Sequence, residues 1–210
     1  PGESNSRAVT NAGPAIAGVT HRPVLPAAGQ TVSVYARVSD PDDLSEVMLQ
    51  YRLDPSPVVR TVIMSSRGAG LVSAEIPAQG SGTLAAFRIV ARDSAGVVSA
   101  FPESAPGREG LIRWGDATPP GDLGAYRIWM TQANESAWAA REKSSNAPVD
   151  VTFVHNATRV IYGAGARYSG SWAHTPSFTG PRGAPCDYAL DFPRDDRRLV
   201  ARSAWRTSGP

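Results

Sequence analysis

At 210 residues the chain has room for one large domain or two small ones, each able to bury a usable core. A hydrophobic content of 41% excludes global disorder, and a net charge of +2 is too small to imply a nucleic-acid partner. Glycine and proline, at 20 and 18 residues, favour short strands and turns over a helical bundle, and no run approaches the ~18 apolar residues of a membrane span.

Residues 1–14 are small and polar without periodicity, and read as a linker or frayed terminus. The start at Pro1, with the first methionine at Met48, reads as the cut edge of a longer protein. From Ala15 to Pro102 the pattern is all-β. Ile16 and Val19 open it, and TVSVYARVSD then places Val32, Val34, Ala36 and Val38 on one face. The DPDD run at 40–43 is a turn rich in Asx chemistry. EVMLQYRL puts Val47, Leu49 and Tyr51 on one face; VVRTVIM is a fourth strand, SRGAG a turn and LVSAEIP a fifth strand. TLAAFRIVARD alternates only imperfectly, which predicts a bulge near Phe87 or Arg88, and VVSAF is the seventh strand. Seven short strands between Gly, Pro and Asp turns predict an antiparallel β-sandwich over 15–102.

Residues 103–124 are rich in Pro and Gly around an apolar island at Leu111, Ile112 and Trp114, and read as a linker docked on its neighbour. Tyr126, Ile128 and Met130 alternate as a short strand. Thr131 is placed to N-cap a helix running to about Lys143, with Ala133, Ala137, Trp138 and Ala140 as its apolar stripe. Arg141 and Lys143 fall at the end where cations favour the helix dipole, and Asn146 and Pro148 stop the helix. Residues 149–168 predict an antiparallel hairpin turning at HNAT, and CDYALDF is a further strand. After Arg197 the periodicity is lost, and 198–210 read as an irregular or truncated tail.

Chemistry-bearing residues are sparse. Cys186 is alone, so no disulfide forms within the chain. His21, His155 and His174 have no metal-ligand spacing, and no P-loop, Rossmann fingerprint or GxSxG motif is present. Asp40, Asp42 and Asp43 offer clustered carboxylates for calcium, but no glutamate closes a twelve-residue loop, and a polar turn is the simpler reading. The spacing of Trp114, Trp129, Trp138, Trp172 and Trp205 fits core packing better than a sugar platform. Lys143 is the only lysine, so any chemistry needing an ammonium has one candidate.

Several of these segments, YRIWMTQ, AWAAREKSSNAPVDVTFV, GARYSGS and CDYALDFPRDD, together resemble the opening of a spore-coat protein H (CotH) kinase-like domain. RWGDATPP is similar to the lead-in of large bacterial members, and the resemblance covers roughly residues 111–197. LQYRLD and AFRIVARDSAGVVS resemble immunoglobulin-like or fibronectin type III-like modules of bacterial extracellular proteins, which implies secretion or cell-surface display. The expected fold is therefore mainly β with minor α: a seven-stranded sandwich, then an incomplete α+β kinase-like lobe over 125–197. The CotH resemblance implies phosphoryl transfer from ATP with Mg in the full-length protein, onto an unknown protein acceptor or cell-surface partner. It places Arg167, Ser169, Gly170 and Ser171 at the nucleotide, where an arginine and a glycine corner approach phosphate. The lysine that members carry in the next strand is missing from Pro185-Cys186-Asp187-Tyr188, and the family's metal-binding and catalytic aspartates lie further downstream. Of the three needs of phosphoryl transfer, cationic contact, metal carboxylates and a base, two are absent, so this stretch is expected to be inactive alone and to need no cofactor. The rival expectation is a non-enzymatic extracellular scaffold or binding protein that has lost catalysis.

Overall fold

The computed structural model describes residues 11–103, 107–116, 124–142, 145–169 and 187–193. The protein is mainly β with one short helix. Its strands are β1 (Ala15–Arg22), β2 (Val32–Ser39), β3 (Leu44–Asp54), β4 (Arg60–Ile63), β5 (Ser65–Gly68), β6 (Leu71–Ile76), β7 (Leu84–Asp93), β8 (Val98–Phe101) and β9 (Gly110–Arg113). After them come β10 (Tyr126–Trp129), the helix α1 (Gln132–Ala140), β11 (Val149–His155), β12 (Arg159–Ser169) and β13 (Asp187–Asp191). All pairings are antiparallel.

Two sheets, ordered β1-β2-β6-β5 and β4-β3-β7-β8, face each other in a sandwich-like arrangement, with β9 added to β7. Alternation explains the first of them: Val32, Val34, Ala36 and Val38 point inward and are at most 1% exposed. On β3 the same holds for Val47, Leu49 and Tyr51, all buried. Residues 15–102 hold eight strands where seven are expected. The extra one, Ser65–Gly68, lies where the sequence reads as a turn, and pairs with β6. It carries no buried side chain, and its pairing makes it a strand.

β7 departs from the expected bulge. Its register against β3 is unbroken from Leu84 to Arg92, and the irregularity falls at Leu44 to Glu46. Alternation fails for another reason: Leu84, Ala85, Ala86 and Phe87 are all buried, because this stretch is covered on both faces. The segment read as a linker joins the sheet beside this stretch. Within 103–124, Gly110–Arg113 is strand β9, and Trp114 is fully buried. Gly110 permits the approach: a Cβ there would lie 2.7 Å from the Phe87 ring.

The third sheet, β10-β11-β12-β13, contains the expected hairpin and lies between the sandwich-like part and α1. One of its faces sends Trp129, Val154, Val160 and Tyr162 into the main core. The other sends Val151, Phe153, Ile161, Ala164 and Ala166 under Trp138 of the helix. β12 changes phase between these duties. Val151 opposes Ala164 while Phe153 opposes Ile161, so β12 carries one extra residue, and Gly163 sits there at φ 61°. Beyond this bulge the even-numbered residues, not the odd, face the helix.

Thr131 caps α1 as expected, its hydroxyl accepting from the Asn134 N–H at 3.2 Å. The helix is shorter than expected, and of the anticipated apolar stripe only Trp138 is buried; Ala133, Ala137 and Ala140 are exposed. One large ring does the work of four positions. Among the described residues no helix is long and apolar enough to cross a membrane.

Candidate functional site

The corner singled out by the sequence is the far end of β12. Arg167 and Ser169 are two residues apart on one strand, so they project from the same face. They pair with Ala189 and Asp187 of β13. Gly170 and Ser171 lie outside the described residues, as do Lys143, His174 and Cys186. The Arg167 guanidinium is half-buried and loosely held: Nη1 donates to Asn146 Oδ1 at 3.3 Å, and Nε is 4.0 Å from the exposed carboxylate of Asp191. Ser169 is exposed at the strand end.

Tyr168 points to the opposite face, where its ring meets Trp138 edge-on at 4.9 Å. Arg141 completes this side. Its Cζ lies 4.6 Å above the Trp138 ring and 5.5 Å from that of Tyr168, and Nη1 donates to the Ala147 carbonyl. Its Nε and Nη2 are buried with no hydrogen-bond partner among the described residues, and burial lowers its pKa. Arg141 and Arg167 thus hold consecutive residues, Ala147 and Asn146, from the two faces of the sheet. Sequence reading gives Arg141 to the helix dipole instead. The signal it missed is local: Trp138 and Arg141 are three apart on a helix and therefore neighbours.

Several of the described carboxylates are engaged elsewhere. Glu109 receives Arg52 at both oxygens, Nε at 2.9 Å and Nη2 at 2.5 Å, and this contact foremost raises the Arg52 pKa. Asp54 accepts from Arg52 at 2.9 Å and from the Gln132 N–H at 2.8 Å, tying β3 to the start of α1. Asp116 accepts from the Trp129 indole at 2.8 Å and pairs with Arg113 at 3.0 Å. Asp150 is pushed up to about 6 by burial, against the opposing pull of the Glu109 N–H and Arg108. Asp40 folds its own turn, accepting the Asp42 N–H at 2.8 Å. Among the described residues no three His, Cys, Asp or Glu side chains gather as a metal site.

The histidines part ways. His155 stacks on Tyr126 at 5.3 Å in the hairpin turn. His21 is fully buried, with Nδ1 at 2.5 Å from the Tyr162 hydroxyl and Nε2 at 3.1 Å from the Val24 carbonyl. Nothing in the sequence joins His21 to Tyr162, which is 141 positions away.

Compared with known proteins, the chain matches no family model and no curated protein.

Proposed function

We propose that this chain is the phosphate-contacting part of a secreted or cell-surface CotH-like phosphoryl-transfer protein, inactive alone, with the N-terminal sheets as a rigid spacer or adhesion module. The observation that supports this reading is Arg167 beside Ser169: a guanidinium that, among the described residues, has one long hydrogen bond and one distant, exposed carboxylate, on the same strand face as an exposed serine. Such a group has donors left for an anion, and a planar guanidinium suits phosphate oxygens. Gly170 and Ser171 follow directly in sequence and would extend the contact. Metal carboxylates and a general base would come from chain beyond these residues, as the missing lysine and the engaged aspartates require.

Isothermal titration of ATP with Mg into the longer protein containing this chain tests the reading. Saturable heat is expected, with affinity falling at least about tenfold in Arg167→Ala, the usual cost of a charge-assisted contact. Absence of heat leaves the second reading, a non-enzymatic scaffold. That reading is favoured by the continuous core through which Trp129, Val154, Val160 and Tyr162 join the third sheet to the first two.

A further inference from the structure

The seam between the third sheet and the N-terminal sheets is largely apolar; polar contacts cross it where β9 and its flanks meet Thr152, Asp150 and Trp129, and, apart from these, where His21 of β1 meets Tyr162 of β12. Both side chains are buried, and the Trp129 ring of β10 lies 6.3 Å from the imidazole. The Val24 carbonyl can only accept, so Nε2 carries a proton and Nδ1 accepts from the Tyr162 hydroxyl. That arrangement admits only the neutral ring. A second proton on Nδ1 would turn it into a donor, leaving the hydroxyl hydrogen without an acceptor and a cation without a counter-charge.

We propose that the His21–Tyr162 contact is an acid-sensitive latch that holds the third sheet against the N-terminal sheets and lets that seam open on acidification. The groups around it support this. No acidic or basic side chain among the described residues contributes to the ionisation of His21, whose pKa burial lowers to about 4. On the Tyr162 side, Glu103, Arg108 and Arg159 line a cleft of about 660 Å³ that reaches its ring, and Arg22 follows His21 with an exposed side chain. Burial raises the Tyr162 pKa, so its hydroxyl stays protonated throughout. The sign follows from linkage. The open seam exposes a histidine of ordinary pKa near 6.5 and binds a proton that the closed seam refuses, so closure weakens as pH falls from about 6.5 to about 4. The latch lies on the strand that carries Arg167, but its test does not depend on any ligand there.

Amide hydrogen exchange on the whole chain, near pH 7 and near pH 4.5 and corrected for intrinsic rates, reads the seam directly. Asp150, which crosses the same seam to the Glu109 N–H and is pushed up to about 6, binds its proton more readily in the closed form and works the other way, so the comparison is with a variant. Between the two pH values, protection of β1 and β10–β12 should fall roughly 30- to 100-fold further in the unmodified chain than in His21→Gln, while that of β3 and β7 changes alike in both. Equal loss in every sheet, or the same pH response in His21→Gln, overturns the proposal. Should that variant fail to fold, the imidazole titration of His21 in the unmodified protein decides. A His21 midpoint below about 5 supports the latch, and one near 6.5 overturns it.

Discussion

Freed from residues 1–124, the segment 125–210 should show no cooperative thermal transition, whereas the whole chain should melt in one. Trp129, Val154, Val160 and Tyr162 are at most 6% exposed, and all four are covered by residues of the N-terminal sheets and β9. Separation would present this row to water on one face of a small sheet, at roughly 1.5–3 kcal/mol for each large side chain uncovered. It would also orphan the Tyr162 hydroxyl and the Thr152 hydroxyl that accepts from the Leu111 N–H at 3.0 Å. What remains is the small cluster of Trp138, Val151, Phe153, Ile161, Ala164 and Ala166 with its partly buried rim, too little to offset chain entropy. Circular dichroism and differential scanning calorimetry of both chains check this, and a sharp, high-temperature melt of the isolated segment would contradict it. It is the N-terminal sheets that cover this apolar face of the segment.

Trp114→Ala should be the most damaging single substitution in the 103–124 stretch, costing about 4 kcal/mol as deletion of a buried indole does. Trp114 is 0% exposed, and its backbone is fixed on both sides: the N–H donates to Thr83 O at 3.0 Å, and its carbonyl accepts from the Gly82 N–H at 2.8 Å. The indole Nε1 reaches the Gln30 carbonyl at 2.7 Å, joining two turns at one end of the sandwich-like part. Trp114→Phe keeps most of the packed volume and loses only that bond, so about 1 kcal/mol beyond the volume change is expected. Urea denaturation separates the two: the midpoint should fall far for alanine and modestly for phenylalanine, with the slope unchanged. A loss under about 1 kcal/mol for alanine would mean that the stretch only lies on the surface.

How much of this was legible in the sequence depends on how many neighbours each strand has. β2 and β3 announce themselves because each has one wet face and one dry face, and alternation records the difference. β7 hides because both of its faces are dry from Leu84 to Phe87. β9 itself is four residues between Pro- and Gly-rich turns, too short for any period to show. β5 is made by pairing with β6, helped by Arg67 donating to the Ser73 hydroxyl at 2.8 Å, and its exposed side chains carry no apolar alternation. At the candidate site, Arg167 and Ser169 are named by resemblance alone, and strand periodicity puts them on one face. Arg141 was seen, but for its charge and not for the ring beneath it. His21 with Tyr162 was beyond reach, since no local pattern encodes a contact closed by the whole fold.

The extra residue at Gly163 makes the hairpin a device that counts. Upstream of it odd positions belong to the helix layer and downstream even ones do, so the strand carries two reading frames joined by one glycine. Removing that single residue would leave every pairing partner available but exchange inside for outside along the remainder of the strand. Arg167 and Ser169 would turn beneath Trp138, and Tyr168 would take their place at the surface. The outward aim of the arginine is thus set four peptide units away, by a residue with no side chain of its own.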